Sequence, residues 1–306
     1  MKTITKKLET LCSCVLEHEP LSRHTSFKIG GPCDWMVMPQ SVEEVKQILA
    51  FAKEETLRVT LLGNGSNVLA ADEGIDGIVL KTTGLKEISV KENYICAGAG
   101  ARLSALCETA KENSLGGLAE LSGIPGTVGG GVYMNAGAYG GEIKDTLVES
   151  LYLDETNEIR KLTAEEHHLS YRYSIFHEHP DWMILESKFY LTPANRDEIH
   201  AKTVELLKKR NEKQPLEYPN AGSTFKRPEG YFAGKLIEDA GLRGFSVGDA
   251  QVSEKHCGFV INRKNATAED VCNLIAAVRE RVQKEFGVTL EAEVRYFKRN
   301  CPEAKL

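Results

Sequence analysis

The chain has no long hydrophobic run. Across its 306 residues no segment approaches the roughly 18 consecutive apolar residues of a membrane-spanning helix, so no membrane anchor is expected. The start, MKTITKKLETLCSCVLEHEP, is basic but holds no apolar stretch of signal-peptide length, and the expected location is cytoplasmic. Basic clusters are missing too. Lys and Arg are scattered among acidic residues, at a net charge of −6, which argues against the concentrated positive footprint of a nucleic-acid binder. The phosphate-loop motif G-x-x-x-x-G-K-[ST] is absent, and no G-x-G-x-x-G follows a strand, so P-loop and Rossmann folds are disfavoured. No G-x-S-x-G or catalytic triad is apparent either.

The eight cysteines, at 12, 14, 33, 96, 107, 257, 272 and 301, are expected as free thiols in a large cytosolic chain. Cys12-x-Cys14 is too short for the usual zinc knuckle and has no second pair nearby, so no metal site is expected. His167-His168 and His177-x-His179 lie in polar sequence and read as surface histidines.

The composition, 42% hydrophobic and 27% charged, is that of a globular protein long enough for two or three domains. Ser41-Val-Glu-Glu44 has the form of a capping box, and Val42, Val45, Ile48, Leu49 and Ala52 follow at helical spacing. Leu57 to Leu62 reads as a strand that enters the Asn64-Gly65-Ser66-Asn67 loop. DGIVLK, KEISV and NYICAGAG read as short strands. A helix is expected over 102–113, and strands over 147–153 and 183–191. From Asn195 a helix carries Ile199, Val204, Leu206 and Leu207. The last long helix starts near Thr267 with Val271, Leu274, Ile275, Val278 and Val282 as its buried stripe. In VTLEAEVRYF the alternation predicts a strand, with Val288, Leu290, Ala292, Val294 and Tyr296 on one face and Glu291, Glu293 and Arg295 on the other. A domain boundary is expected near 195.

The stretch GIPGTVGGGVYMNAGAYGGE, Gly123 to Glu142, holds 8 of the 27 glycines. That much backbone freedom is costly to order. Glycine loops can expose backbone N–H groups that wrap a diphosphate, with side-chain donors added here by Asn64, Ser66 and Asn67. Tight turns in a β-rich domain would need the same residues.

HTSFKIGGPCDWMV, LLGNGSNVLAADEGIDGIVL, LAELSGIPGTVGGGVYMNAGAYGGEI, LSYRYSIF, NAGSTFKRP and LEAEVRYF occur in one order. In this the chain closely resembles the UDP-N-acetylenolpyruvoylglucosamine reductase family, over roughly residues 20 to 297. The resemblance implies an α+β protein: a two-lobed FAD-binding domain of the vanillyl-alcohol-oxidase type (1–194, lobes split near 55) and a smaller α+β substrate domain (195–306). It implies FAD and NADPH as cofactors, a UDP-sugar enolpyruvyl ether as substrate, and UDP-N-acetylmuramate for bacterial peptidoglycan as product. A monomer is expected. Asn64, Gly65, Ser66 and Asn67 would hold the FAD pyrophosphate. Gly123, Ile124, Pro125, Gly126, Thr127, Gly129 and Gly130 would let the backbone approach the cofactor, and Asn135, Gly137 and Ala138 would continue that wall.

The implied chemistry adds a hydride to the β-carbon of an unsaturated carboxylate and a proton to its neighbour, which calls for a fixed cation, hydrogen-bond donors and an acid. By the same resemblance Arg172 is the cation, Ser223 the acid, and Glu293 a group that helps to stabilise the enol form. Lys213, Lys226 and Arg295 are candidate cations for the substrate's diphosphate and carboxylate. Read as residues alone, Arg172 is also an ordinary arginine beside aromatics, Ser223 a turn serine bonded to its own backbone, and Glu293 part of a solvated face. YRYSIFHEHPDWMILES leaves no room for the loop that carries a diphosphate-binding tyrosine in the family's longer class, so the chain resembles the shorter class and Tyr171 and Tyr173 do not inherit that role. A sugar lactone or alcohol oxidase on the same FAD fold, and a catalytically silent flavin-binding regulator, are the alternatives.

Overall fold

The computed structural model describes residues 2–304 and 306, with the side chains of 2 and 301–304 excepted; the thiol of Cys301 therefore lies outside the described residues. The chain divides into two compact units: residues 1–15, 37–64 and 80–210 form the first, and residues 16–36, 65–79 and 211–306 the second. Two early segments thus belong with the C-terminal third, because each unit's core is assembled from distant parts of the chain.

In the first unit, α1 (Lys2–Leu11) precedes α2 (Val42–Glu54). Ser41 caps α2 by accepting from the Glu44 N–H, and the Glu44 carboxylate takes the N–H of Gln40 at 2.9 Å, one residue before the position a full capping box would use. An antiparallel sheet follows, in the order 159–163, 147–153, 183–190, 94–98, 88–91. Helix α3 (Leu103–Glu112) and α4 (Val128–Tyr133) bury Leu103, Leu106, Ala110, Val128 and Val132 in its core with Ile95, Phe176 and Phe189.

Two expectations change here. His167 is not on the surface. It is fully buried, its Nδ1 2.7 Å from the Thr163 carbonyl and its Nε2 3.0 Å from Ser150 Oγ. Ser150 Oγ lies 2.8 Å from Ser187 Oγ on the paired strand, so the ring ties a loop to the sheet. Helix α5 (Arg196–Lys213) buries Ile199 but leaves Val204 50% exposed and Leu207 36% exposed, because these apolar residues do not share one helical face.

In the second unit α7 (Ala268–Phe286) carries the expected stripe, with Val271, Leu274, Ile275, Val278 and Val282 all buried. Thr267 and Asp270 close a full capping box, and Gly287 ends the helix at φ 69°, a conformation glycine adopts without penalty. With α6 (Ala233–Asp239), α7 shares a core with Phe27, Leu69, Phe225, Val260 and Leu290. One sheet runs 220–223, 259–262, 250–252, 246–247; another runs 301–304, 295–298, 68–70, its last pair parallel.

The expected C-terminal strand is shorter than its alternation implied. Only 295–298 forms the ladder, and Phe297 rather than Tyr296 is buried. Ala292 makes an isolated bridge to Phe225, and Arg295 pairs with Val68. The chain changes partner at Val294, which resets the side-chain period.

Candidate functional site

In the first unit the strand at Val59–Leu62 runs out into Gly63 and Asn64, which abut the glycine-rich segment. Asn64 Nδ2 donates to the Pro125 carbonyl at 2.6 Å. A Cβ on Gly63 would stand 2.6 Å from Thr127 Oγ1. Thr127 caps α4, accepting from the Gly130 N–H, so a helix opens in the segment that glycine content alone assigned to loops. Three consecutive glycines are poor helix formers. The cap and bonds from Val128 N to Ala101 O and Gly129 N to Ala99 O, each 2.8 Å, hold them in place.

The glycines divide by what surrounds them. A Cβ on Gly129 would meet the Ala99 Cβ at 2.9 Å, and one on Gly131 would meet Leu103 at 3.2 Å; both serve close packing. A Cβ on exposed Gly130 would have only Thr127 Oγ1 within 4 Å, at 3.4 Å. Nothing among the described residues demands glycine there, and alanine would favour the helix. The N–H groups of Gly123, Gly126 and Thr127 find no acceptor among the described residues of the unit, whereas that of Ile124 bonds Leu121 O at 3.0 Å.

Beyond α4 the chain turns back on itself, pairing Gly137 with Glu142 and Ala138 with Gly141. Asn135 is fully buried at φ 41°, and its side chain is occupied: Nδ2 donates to Glu142 Oε2 and to the Ser170 carbonyl, each at 2.9 Å, and Oδ1 accepts from Lys144 N at 3.0 Å. Ser170 and Tyr173 exchange two backbone bonds of 3.2 Å and close a turn with Tyr171 and Arg172 at its tip. Arg172 sits at φ 56°, where turns with a positive third residue usually carry Gly or Asn. Its guanidinium donates to the Gly137 carbonyl at 3.2 Å and lies 4.9 Å from the Tyr171 ring centre.

The second unit brings Asn67, Ser223, Lys226, Glu293 and Arg295 onto one backbone network. Asn67 Nδ2 donates to the Glu293 carbonyl at 3.2 Å, and Arg295 N donates to the Asn67 carbonyl at 3.0 Å. Glu293 N donates to Thr224 O, next to Ser223, at 2.8 Å. The register slips between Asn220 and Ser223. Gly222 takes φ 78° there, with open space where a Cβ would point. Such a bulge re-aims the next side chain: Ser223 is exposed and its hydroxyl has no partner among the described residues, so the turn-serine reading does not hold. Lys226 Nζ pairs with Glu291 Oε1 at 2.6 Å. Lys213 ends α5, exposed and without a carboxylate partner among the described residues. His256 is held below the usual imidazole range chiefly by burial, with smaller contributions that include the Lys213 charge.

Gly65 needs its missing side chain. At φ 62°, a Cβ would stand 2.1 Å from the His24 carbonyl oxygen. The N–H groups of Gly65, Ser66 and Asn67 find no acceptor among the described residues of the second unit. Successive N–H groups around a left-handed residue form an anion-binding nest. That nest fits a diphosphate-bearing cofactor.

One cation was missed in the sequence. Arg210, in α5, reaches the space that Gly123 leaves, where a Cβ would stand 2.8 Å from its Cδ. Burial pushes its guanidinium below the usual range, and no carboxylate among the described residues pairs with it. Amphipathic spacing gave no signal, since a basic residue near a helix end is ordinary.

Residues 33–163 match a family model described as an FAD binding domain. With the unsatisfied donors and the bare glycine backbone, this places the chain in the class of FAD-binding oxidoreductases. Residues 214–297 match the model described as UDP-N-acetylenolpyruvoylglucosamine reductase, C-terminal domain. The enzyme so named from Agathobacter rectalis is 52% identical over 96% of this chain and 97% of its own length. That from Caldanaerobacter subterraneus subsp. tengcongensis is 49% identical over 91% and 92%. The crystal structure of UDP-N-acetylenolpyruvylglucosamine reductase from Thermus caldophilus is similar at a TM-score of 0.79 and 33% identity, over 92% of this chain and 98% of that one. The chain belongs to the UDP-N-acetylenolpyruvoylglucosamine reductase family.

Proposed function

We propose that the chain reduces UDP-N-acetylglucosamine enolpyruvate to UDP-N-acetylmuramate, with NADPH as reductant and bound FAD as carrier, in peptidoglycan precursor synthesis. When bound, FAD supplies the hydride chemistry. The protein's own residues bind, orient and protonate. The observation that carries the reading is Arg172, held at a strained φ at the tip of a closed turn. Strain of this kind costs about 1–3 kcal/mol and persists where the surroundings enforce it, often at functional sites.

In this reading the Arg172 guanidinium faces the substrate carboxylate as it gains negative charge, where a planar fork of donors is most effective. Ser223 delivers the proton to the adjacent carbon, its hydroxyl without a partner among the described residues. Glu293, with its backbone fastened at both N–H and carbonyl, helps to stabilise the enol form. Asn64 and the Gly65–Asn67 N–H groups, together with Gly123, Gly126 and Thr127, hold the FAD diphosphate. Ile124, Pro125, Gly129, Gly130, Gly137 and Ala138 form the wall the cofactor approaches, and Asn135 shapes it from behind. Lys213, Lys226, Arg295 and Arg210 supply positive charge for phosphates and carboxylate. The enzyme works as a cytoplasmic monomer; among the described residues no helix is long and apolar enough to cross a membrane.

The test begins with the visible spectrum of the purified protein, which should show a flavin band released on denaturation. NADPH oxidation should then depend on the enolpyruvyl substrate. Arg172→Ala, Ser223→Ala and Glu293→Gln should each slow turnover while FAD stays bound. A colourless protein that takes up no FAD would sink the whole reading.

A further inference from the structure

We propose that Asn135 and Glu142 are positioning residues that fix the Arg172 guanidinium. This inference rests on the catalytic reading of Arg172. Asn135 is fully buried, yet its side chain makes three hydrogen bonds, two of them to groups that frame Arg172 and the third from the Lys144 N–H. One bond takes the Ser170 carbonyl, the base of the turn whose tip Arg172 occupies. A second takes Glu142 Oε2, and Glu142 lies opposite Gly137 in the short antiparallel pair. The Gly137 carbonyl is in turn the acceptor for Arg172. The buried amide therefore ties together the turn that carries the cation and the strand pair that receives it.

Glu142 has an electrostatic part as well. Its carboxyl is held below the usual range by Lys144 first, with Nζ 2.7 Å from Oε2, and further by Asn135 and by the Arg172 charge. Asp145 accepts from the Glu142 N–H at 2.7 Å and Lys144 stands beside it; these are the other charged groups facing the carboxylate. An ionised Glu142 thus draws the guanidinium toward the Gly137 side. Since a misplacement of about 1 Å at a reacting group can cost on the order of 100-fold in rate, the arrangement has a kinetic consequence.

The experiment separates the two halves of turnover in Asn135→Ser and Glu142→Gln holoenzymes, by following flavin absorbance in a stopped flow. The first half mixes each protein with NADPH alone, and the second mixes the NADPH-reduced protein with the enolpyruvyl substrate. Arg172 acts only in the second. Positioning predicts that the second half slows on the order of tenfold or more in both variants, while in Glu142→Gln the first half stays within about twofold of wild type. In the FAD-free protein, tryptic cleavage after Arg172 should speed up selectively in Asn135→Ser, read by mass spectrometry. Equal slowing of both halves in Glu142→Gln, or cleavage rising uniformly along the chain in Asn135→Ser, would show a merely structural role and overturn the proposal. If Asn135→Ser does not fold, Glu142→Gln, altered at a partly exposed side chain, carries the same test. If Arg172→Ala leaves the second half unchanged, the reading of Arg172 itself fails, a distinct outcome. If Arg172→Ala is slow while Asn135→Ser and Glu142→Gln match wild type in both halves, only the positioning roles fail.

Discussion

Replacing Gly130 by alanine should strengthen the protein and weaken its hold on FAD. Gly130 lies in the first turn of α4, exposed, and an added Cβ would touch only Thr127 Oγ1 at an ordinary 3.4 Å. Alanine is favoured over glycine within helices by roughly 0.5–1 kcal/mol, and a first-turn position should realise the lower end. For a unit of this size that raises the melting temperature of the FAD-free protein by about 1–2 °C. If the bare backbone exists to let the cofactor approach, the new methyl intrudes on a filled contact, and overpacking of that kind costs about 1–3 kcal/mol, or roughly 5- to 150-fold in FAD affinity. Scanning calorimetry of apoprotein and a fluorescence titration with FAD measure the two effects separately. Gly129→Ala is the contrast: its Cβ would meet Ala99 at 2.9 Å, so the apoprotein itself should lose about 1–3 kcal/mol. Should Gly130→Ala bind FAD within twofold of wild type, the assignment of this backbone to the cofactor wall is wrong.

Gly65→Ala should damage fold and binding together: a left-handed alanine costs about 1–2 kcal/mol, and a Cβ 2.1 Å from the His24 carbonyl oxygen forces the backbone apart as well; an unchanged apoprotein melting temperature would contradict this. Arg210→Gln removes a desolvated cation that has no carboxylate partner among the described residues, so stability should hold or rise while FAD affinity or the KM for the UDP-sugar worsens by about tenfold, the weight of a hydrogen bond to a charged group; if neither moves, Arg210 is not an anion contact. His167 should make the fold acid-sensitive. Burial outweighs the Thr163 bond and the Glu166 charge and lowers its pKa below 6.5. The folded protein therefore keeps a neutral ring where the unfolded chain would be protonated. Its contribution is complete above that unfolded value and is lost as pH falls through the interval down to the folded pKa, by up to about 1.4 kcal/mol per pH unit. His167→Gln should flatten part of that slope in denaturant titrations. Only part should flatten, since His256 is lowered in the same direction; an unchanged slope would refute the assignment.

Much of the molecule was legible beforehand because local chemistry agreed with the tertiary result. The α7 stripe and its Thr267 cap were readable from spacing alone, and so were the strands at 147–153 and 183–190. The misreadings share one cause. His167 looked polar and exposed because its partners, Ser150 and Ser187, come from other strands. VTLEAEVRYF looked like one strand because alternation does not reveal a change of partner at Val294. The helix through Gly129–Gly131 contradicts propensity and exists through a cap and two bonds to Ala99 and Ala101.

By itself the sequence determined the chemistry available: glycine where backbone must be bare, one order of six motifs, and the residue types for a cation, an acid and an enol-stabilising carboxyl. Tertiary structure alone decided how each was held. It placed Arg172 at a strained turn fastened by Asn135, re-aimed Ser223 through the Gly222 bulge, and joined Asn67 to Glu293. Those outcomes depend on hydrogen bonds between residues up to 226 positions apart. Periodicity and propensity are properties of neighbours along the chain, and carry no information at that range.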